Sequence, residues 1–125
     1  KALRPDIQAY VSAYTSFLQE SRFEIDGIEL LVHDPVRGYA GRLDRTGILN
    51  GHKALIDIKC NTFPPHCGIQ LAAYQNCLED GGSYRRYALQ LGKDASYKLQ
   101  EYTDRTDIHV FFAALTLFKW KGRHP

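Results

Sequence analysis

Apolar residues recur along the chain with two different periods, and each change of period marks a boundary between elements. From Lys1 to Glu20, Ile7, Tyr10, Val11, Tyr14, Phe17 and Leu18 fall at helical spacing, with Pro5 suited to a first turn, and this stripe is expected to pack as core. Arg22 to His33 alternates loosely as a strand bent near Asp26-Gly27. A turn from His33-Asp34-Pro35 to Gly38 leads into a second strand, GYAGRLD, which is expected to close at Asp44. A tight connection through Gly47, Asn50 and Gly51 then folds it against a third strand, ALIDIK, as a hairpin. Cys60 to Pro65 reads as a loop, and His66 to Leu78 as a helix stopped by Gly81-Gly82. Ser83 to Leu91 and Tyr97 to Tyr102 form a hairpin across Gly92-Lys93-Asp94. From Asp104 a last helix carries Ile108, Phe111, Phe112, Leu115 and Phe118 at helical spacing, with Lys119, Lys121 and Arg123 complementing its dipole.

That order, helix, three strands, helix, two strands, helix, predicts an α+β fold with a mixed central sheet of about five strands flanked by helices. At 125 residues the chain is long enough for one hydrophobic core without staples, so a single domain over 1–125 is expected. A net charge of +2 is too small to attract nucleic acid by itself, and any polyanion must be held by a local patch and a metal. No apolar run is long enough for a membrane span and no signal-peptide pattern is seen, so no membrane partner is expected. Three cysteines without paired spacing suggest free thiols in a reducing, cytoplasmic setting. Cys60, His66 and Cys67 fit no usual zinc-finger spacing.

The chemistry concentrates between Gly38 and Tyr74. Successive side chains of a strand point to opposite faces, so Asp57 and Lys59 share one side of ALIDIK while Ile56 and Ile58 take the other. The hairpin brings Asp44 beside Asp57. Carboxylate oxygens suit Mg²⁺ or Mn²⁺, and carboxylates carrying a divalent cation attract and polarise a phosphodiester that bare ones would repel. A lysine on the same face can orient or deprotonate the attacking water, or offset charge building on phosphate. Gln70 and Tyr74, four apart on the next helix, share a face beside this strand. Arg42 and Arg45 flank Asp44 and could meet phosphate or pair with a neighbouring acid. The plainer reading of Asp44, Asp57 and Lys59 is a surface ion pair on a hairpin, worth little.

The ordered set G-R-L-D, D-I-K and Q-L-A-A-Y resembles the PD-(D/E)XK nuclease superfamily, in its RecB-like and phage-exonuclease branch. The resemblance runs from about Phe23 to Trp120 and implies a restriction-endonuclease-like core. It implies that Glu29, Asp44, Asp57 and the backbone carbonyl of Ile58 hold a Mg²⁺ or Mn²⁺ ion, with Glu24 as the rival of Glu29 for the upstream acid. It further implies that Lys59 serves the attacking water, and that Gln70 and Tyr74 line the DNA side and steady the lysine. The expected function is therefore a metal-dependent deoxyribonuclease, an exonuclease acting on DNA in phage or bacterial recombination, repair or replication. The alternative is a nucleic-acid-binding module that keeps the nuclease fold without cutting. The branch often carries a histidine motif on helices before the first strand; this chain begins after that point, which allows for an upstream helical segment outside 1–125. Nothing in the resemblance assigns an oligomeric state.

Overall fold

The computed structural model describes residues 4–60 and 62–125. Helix α1 (Pro5–Ser21) is followed by strands β1 (Glu24–Asp34), β2 (Tyr39–Leu49) and β3 (His52–Cys60), helix α2 (Cys67–Cys77), a 3-10 turn at Gly81–Ser83, strands β4 (Arg85–Leu91) and β5 (Tyr97–Tyr102), and helix α3 (Asp107–Arg123). The five strands form one sheet in chain order, with β3 and β4 parallel and the other neighbours antiparallel. The parallel pair needs a crossover, and α2 is that crossover. The expected α+β architecture with a mixed five-stranded sheet is the observed one.

The sheet separates two cores. On one face α1 lays Ala13 and Phe17 onto Phe23, Leu49, Ala54, Ile56, Tyr87 and Leu89. On the other, Cys67 and Leu71 of α2 meet Leu43, Leu55 and Ala88, and α3 packs on α2 as an outer layer. The α1 stripe is narrower than its apolar spacing predicts. Ile7 and Val11 are exposed, whereas Ala13, which no apolar stripe singled out, is fully buried. Helix α3 buries no residue completely, and its Phe118, expected on the packed stripe, is 74% exposed. A helix that packs on another helix rather than on the sheet covers only part of its circumference.

Three further expectations change in detail. Strand β2 does not end at Asp44 but runs on to Leu49, because the hairpin turn is only Asn50-Gly51, both with positive φ (52° and 78°), as a two-residue type I′ connection requires. Gly47 is therefore a strand residue rather than part of the turn. Its missing side chain lets the β1 backbone at Glu24 approach, where a Cβ would collide with the Glu24 carbonyl. Arg86 of β4 is buried. Its guanidinium donates to the Gly68 carbonyl at 2.8 Å, to Asp107 at 2.9 Å and to the Asp104 carbonyl at 2.8 Å, tying α2 and the start of α3 to β4. The expected bend near Asp26-Gly27 is present as a register shift in β1. Within the Cys60–Pro65 loop, Asn61 lies outside the described residues and Cys60 is the last residue of β3.

Candidate active site

Strands β2 and β3 pair from the hairpin as far as Arg45 and Ile56 and then part, and the polar cluster sits where they separate. The pleat of β2 breaks at the same point. Before Asp44, Leu43 belongs to the α2 core and Gly41 lies under Tyr74 of α2. Beyond it, Arg45 donates to the Tyr14 hydroxyl of α1 and Leu49 belongs to the α1 core. Odd-numbered residues thus change face across Asp44, and Glu29, in register with it on β1, has a positive φ of 49°. A regular pleat could not do this. The break turns the Asp44 carboxylate toward β3, where Oδ2 accepts a hydrogen bond from the Ile58 N–H at 2.7 Å. That amide would otherwise have lost its ladder partner, so the side chain takes over the role of a strand carbonyl. The carbonyl of a strand residue points the same way as its N–H, so that of Ile58 also opens toward the gap.

Asp57 continues the register one step beyond the last β2–β3 pair, opposite Asp44. It is 5% exposed, on the same face as Leu55 and beside Ala88 of β4. Burial in the first place, and then a hydrogen-bonding contact with the Asp44 carboxyl, push its pKa up to about 6 against the pull of Lys59. Lys59 Nζ lies 3.0 Å from Asp57 Oδ2. The ammonium supplies charge but not direction, since that buried oxygen accepts no well-formed hydrogen bond from any described residue. Desolvation lowers the lysine pKa, but the close ion pair with Asp57 outweighs this, and the net shift is upward. Lys59 is therefore an ammonium at neutral pH.

On α2 the amide of Gln70 donates to the Tyr74 hydroxyl at 2.8 Å. The Tyr74 ring lies over Gly41, where an added Cβ would stand 2.5 Å from Cε1. This explains physically why a glycine three residues before Asp44 and a tyrosine four after Gln70 belong together: one is the floor on which the other rests. Burial first, then the negative charge of Asp57, raise the Tyr74 pKa, which places the phenol within the field of the acidic pair.

The structure thus brings together Asp44, Asp57, Lys59 and the Ile58 backbone, with Gln70 and Tyr74 alongside. It does not bring Glu29 or Glu24 in: both are exposed, and among the described residues no three His, Cys, Asp or Glu side chains gather closely enough to hold a metal ion. The two flanking arginines separate in role. Arg45 is committed to Tyr14 at 2.9 Å and to the Asp44 carbonyl at 2.8 Å, while Arg42 is exposed. Nothing in the sequence signals the contact between Cys67 and Tyr102. The Cys67 thiol is fully buried, hydrogen-bonds with Tyr102 and feels Asp57, and burial pushes the Tyr102 phenol up to about 12. No spacing could have linked them, because Tyr102 belongs to β5, beyond β4 from β3.

The donor set suits a hard divalent cation: a backbone carbonyl and two carboxylates, one of which has a buried oxygen without a directed partner. No family model and no curated protein matches the chain. Among solved structures it is similar to an alkaline exonuclease, LHK-Exo, from Laribacter hongkongensis, with a TM-score of 0.54 and 19% identity over 99% of this chain and 76% of that one. LHK-Exo in complex with dAMP aligns at a TM-score of 0.38 and 17% identity over 99% and 75% of the two chains. The first likeness shows that the two proteins share a fold.

Proposed function

We propose that the chain is a Mg²⁺- or Mn²⁺-dependent deoxyribonuclease of the PD-(D/E)XK kind that hydrolyses DNA phosphodiester bonds. The observation that carries this is the meeting of Asp44, Asp57 and Lys59 where β2 and β3 part, with a buried Asp57 oxygen left undirected. In this reading Asp44, Asp57 and the Ile58 carbonyl hold the ion, and Glu29 is not needed for it. When bound, the ion supplies charge to polarise the phosphodiester and to make the attacking water more acidic. The residues of the chain do the rest. The Asp44 carboxylate, anchored on the Ile58 amide, keeps its second oxygen fixed toward the gap. Lys59 acts as an ammonium that donates to the attacking water and offsets charge building on phosphate, because its raised pKa withholds it from service as a base. Gln70 and Tyr74 wall the cleft beside the lysine.

An exonuclease acting at DNA ends is the finer form of the proposal. It rests on the motif resemblance and on the fold shared with an alkaline exonuclease. Among the described residues no helix is long and apolar enough to cross a membrane, in keeping with a cytoplasmic enzyme of a bacterial or phage-infected cell. The test incubates the purified chain with linear and with circular DNA, in Mg²⁺, in Mn²⁺ and in chelator, beside Lys59→Ala. Metal-dependent loss of linear DNA, spared circles and an inert Lys59→Ala are expected. Binding without cleavage in every metal would favour a module that keeps the fold but does not cut.

A further inference from the structure

A cavity of about 410 Å³ opens behind the wall formed by Gln70 and Tyr74, between β2, α2 and α3. Ile69 and Ala73 of α2 and Phe111 and Leu115 of α3 line it, and the Phe111 ring meets Tyr39 edge to face at 4.7 Å between centroids. Three observations narrow what it can hold. It shares Gln70, Tyr74 and Gly41 with the acidic cleft, so an occupant would be continuous with whatever the cleft holds. No lysine, arginine or carboxylate lines it, and beside Gln70 and Tyr74 its polar side chains are Tyr39 and His66, so hydrogen-bonding groups outnumber fixed charges and a neutral group suits it better than a phosphate. Its walls are aromatic and aliphatic, and its polar groups at the cleft side, the Gln70 amide and the Tyr74 hydroxyl, can both donate and accept hydrogen bonds. A neutral planar group with a polar edge matches that lining, and a nucleobase is such a group.

We propose that this cavity receives one unstacked base of the DNA strand whose phosphate lies at Asp44, Asp57 and Lys59. The assignment rests on the nuclease reading and adds a base-holding site to it. The base stacks against the Phe111 side of the cavity with its polar edge toward Gln70, so the strand is positioned by a base as well as by its phosphate. It predicts that the cost of removing a base is confined to one nucleotide position.

The experiment scans a single abasic nucleotide along a labelled linear oligonucleotide, reading affinity by anisotropy in Ca²⁺ and cleavage rate in Mg²⁺. Wild type should lose about 5- to 100-fold at one position, the equivalent of one base-aromatic stack. In Phe111→Ala and in Ile69→Ser that position-specific loss should vanish, because the intact substrate has already lost the stack. Two variants on different helices, each checked by its melting curve, separate loss of the site from loss of the fold. DNA that is bound and cut with no position-specific penalty would overturn the base site and leave the nuclease reading standing. A penalty that persists unchanged in both folded variants would place the base elsewhere and also overturn it. Failure of the wild type to bind or cut any substrate would overturn the nuclease reading and the base site with it.

Discussion

The two faces of the sheet are built from the same strands and come to different ends. Toward α1, β3 presents Ala54, Ile56 and Ile58, and the space is filled by aromatic and aliphatic side chains around Phe17. Toward α2, the same strand presents Leu55, then Asp57 and Lys59, and the apolar cluster stops short of the end where the strands part. The α2 side also holds the buried Arg86–Asp107 ion pair and an apolar cavity. Both faces carry an apolar cluster, but desolvated charge and open space gather on the α2 face. Asp44 joins the two, since β2 changes face there.

The largest effects should separate the faces completely. Phe17→Ala empties the centre of the α1 core and should destabilise the protein by about 3–5 kcal/mol in urea denaturation. Lys59→Ala should lower DNA cleavage by about a thousand-fold or more while leaving stability within about 1 kcal/mol. A Lys59 variant that cuts at the wild-type rate would refute the proposed mechanism.

Asp57 gives the comparison a sign. Its folded pKa, about 6, lies above the ordinary carboxylate value of 3.8, so the folded state favours the protonated form. Its contribution to stability is fully present below about pH 4 and is lost as pH rises through about 6, a total on the order of 3 kcal/mol in metal-free protein. Asp57→Asn should remove this dependence. In chelator at pH 7.5 the variant should be more stable than wild type, and at pH 4 the difference should close, while DNA cleavage is expected to be lost. Parallel pH courses for the two proteins would contradict the desolvation of Asp57. The smallest of these effects belongs to Gly41→Ala, whose new Cβ pushes the Tyr74 ring away. Cleavage should fall by about ten- to a hundred-fold with little change in melting temperature.

The order of elements and the meeting of Asp44 with Asp57 were legible because both follow from local rules: period, alternation and a tight turn at Asn50-Gly51. The extent of β2 was not, because Gly47 reads as a turn residue until the approach of β1 explains it. Nor was the face change at Asp44, since alternation carried through GYAGRLDRTGIL would have put Leu43 and Leu49 on one face. The resemblance supplied Glu29 as a metal ligand, and nothing local could test it; its positive φ and exposure emerge only with β2 beside it. Arg86 escaped for a similar reason, as its partners lie 18 and 21 positions away on other elements.

Binding of Mn²⁺ followed by electron paramagnetic resonance isolates the role of the paired acids, because it reads the ion without requiring cleavage. A bound ion is expected in wild type and in Lys59→Ala, and none in Asp44→Asn or Asp57→Asn. Undiminished Mn²⁺ binding by folded Asp57→Asn would show that the paired acids are not what grips the metal.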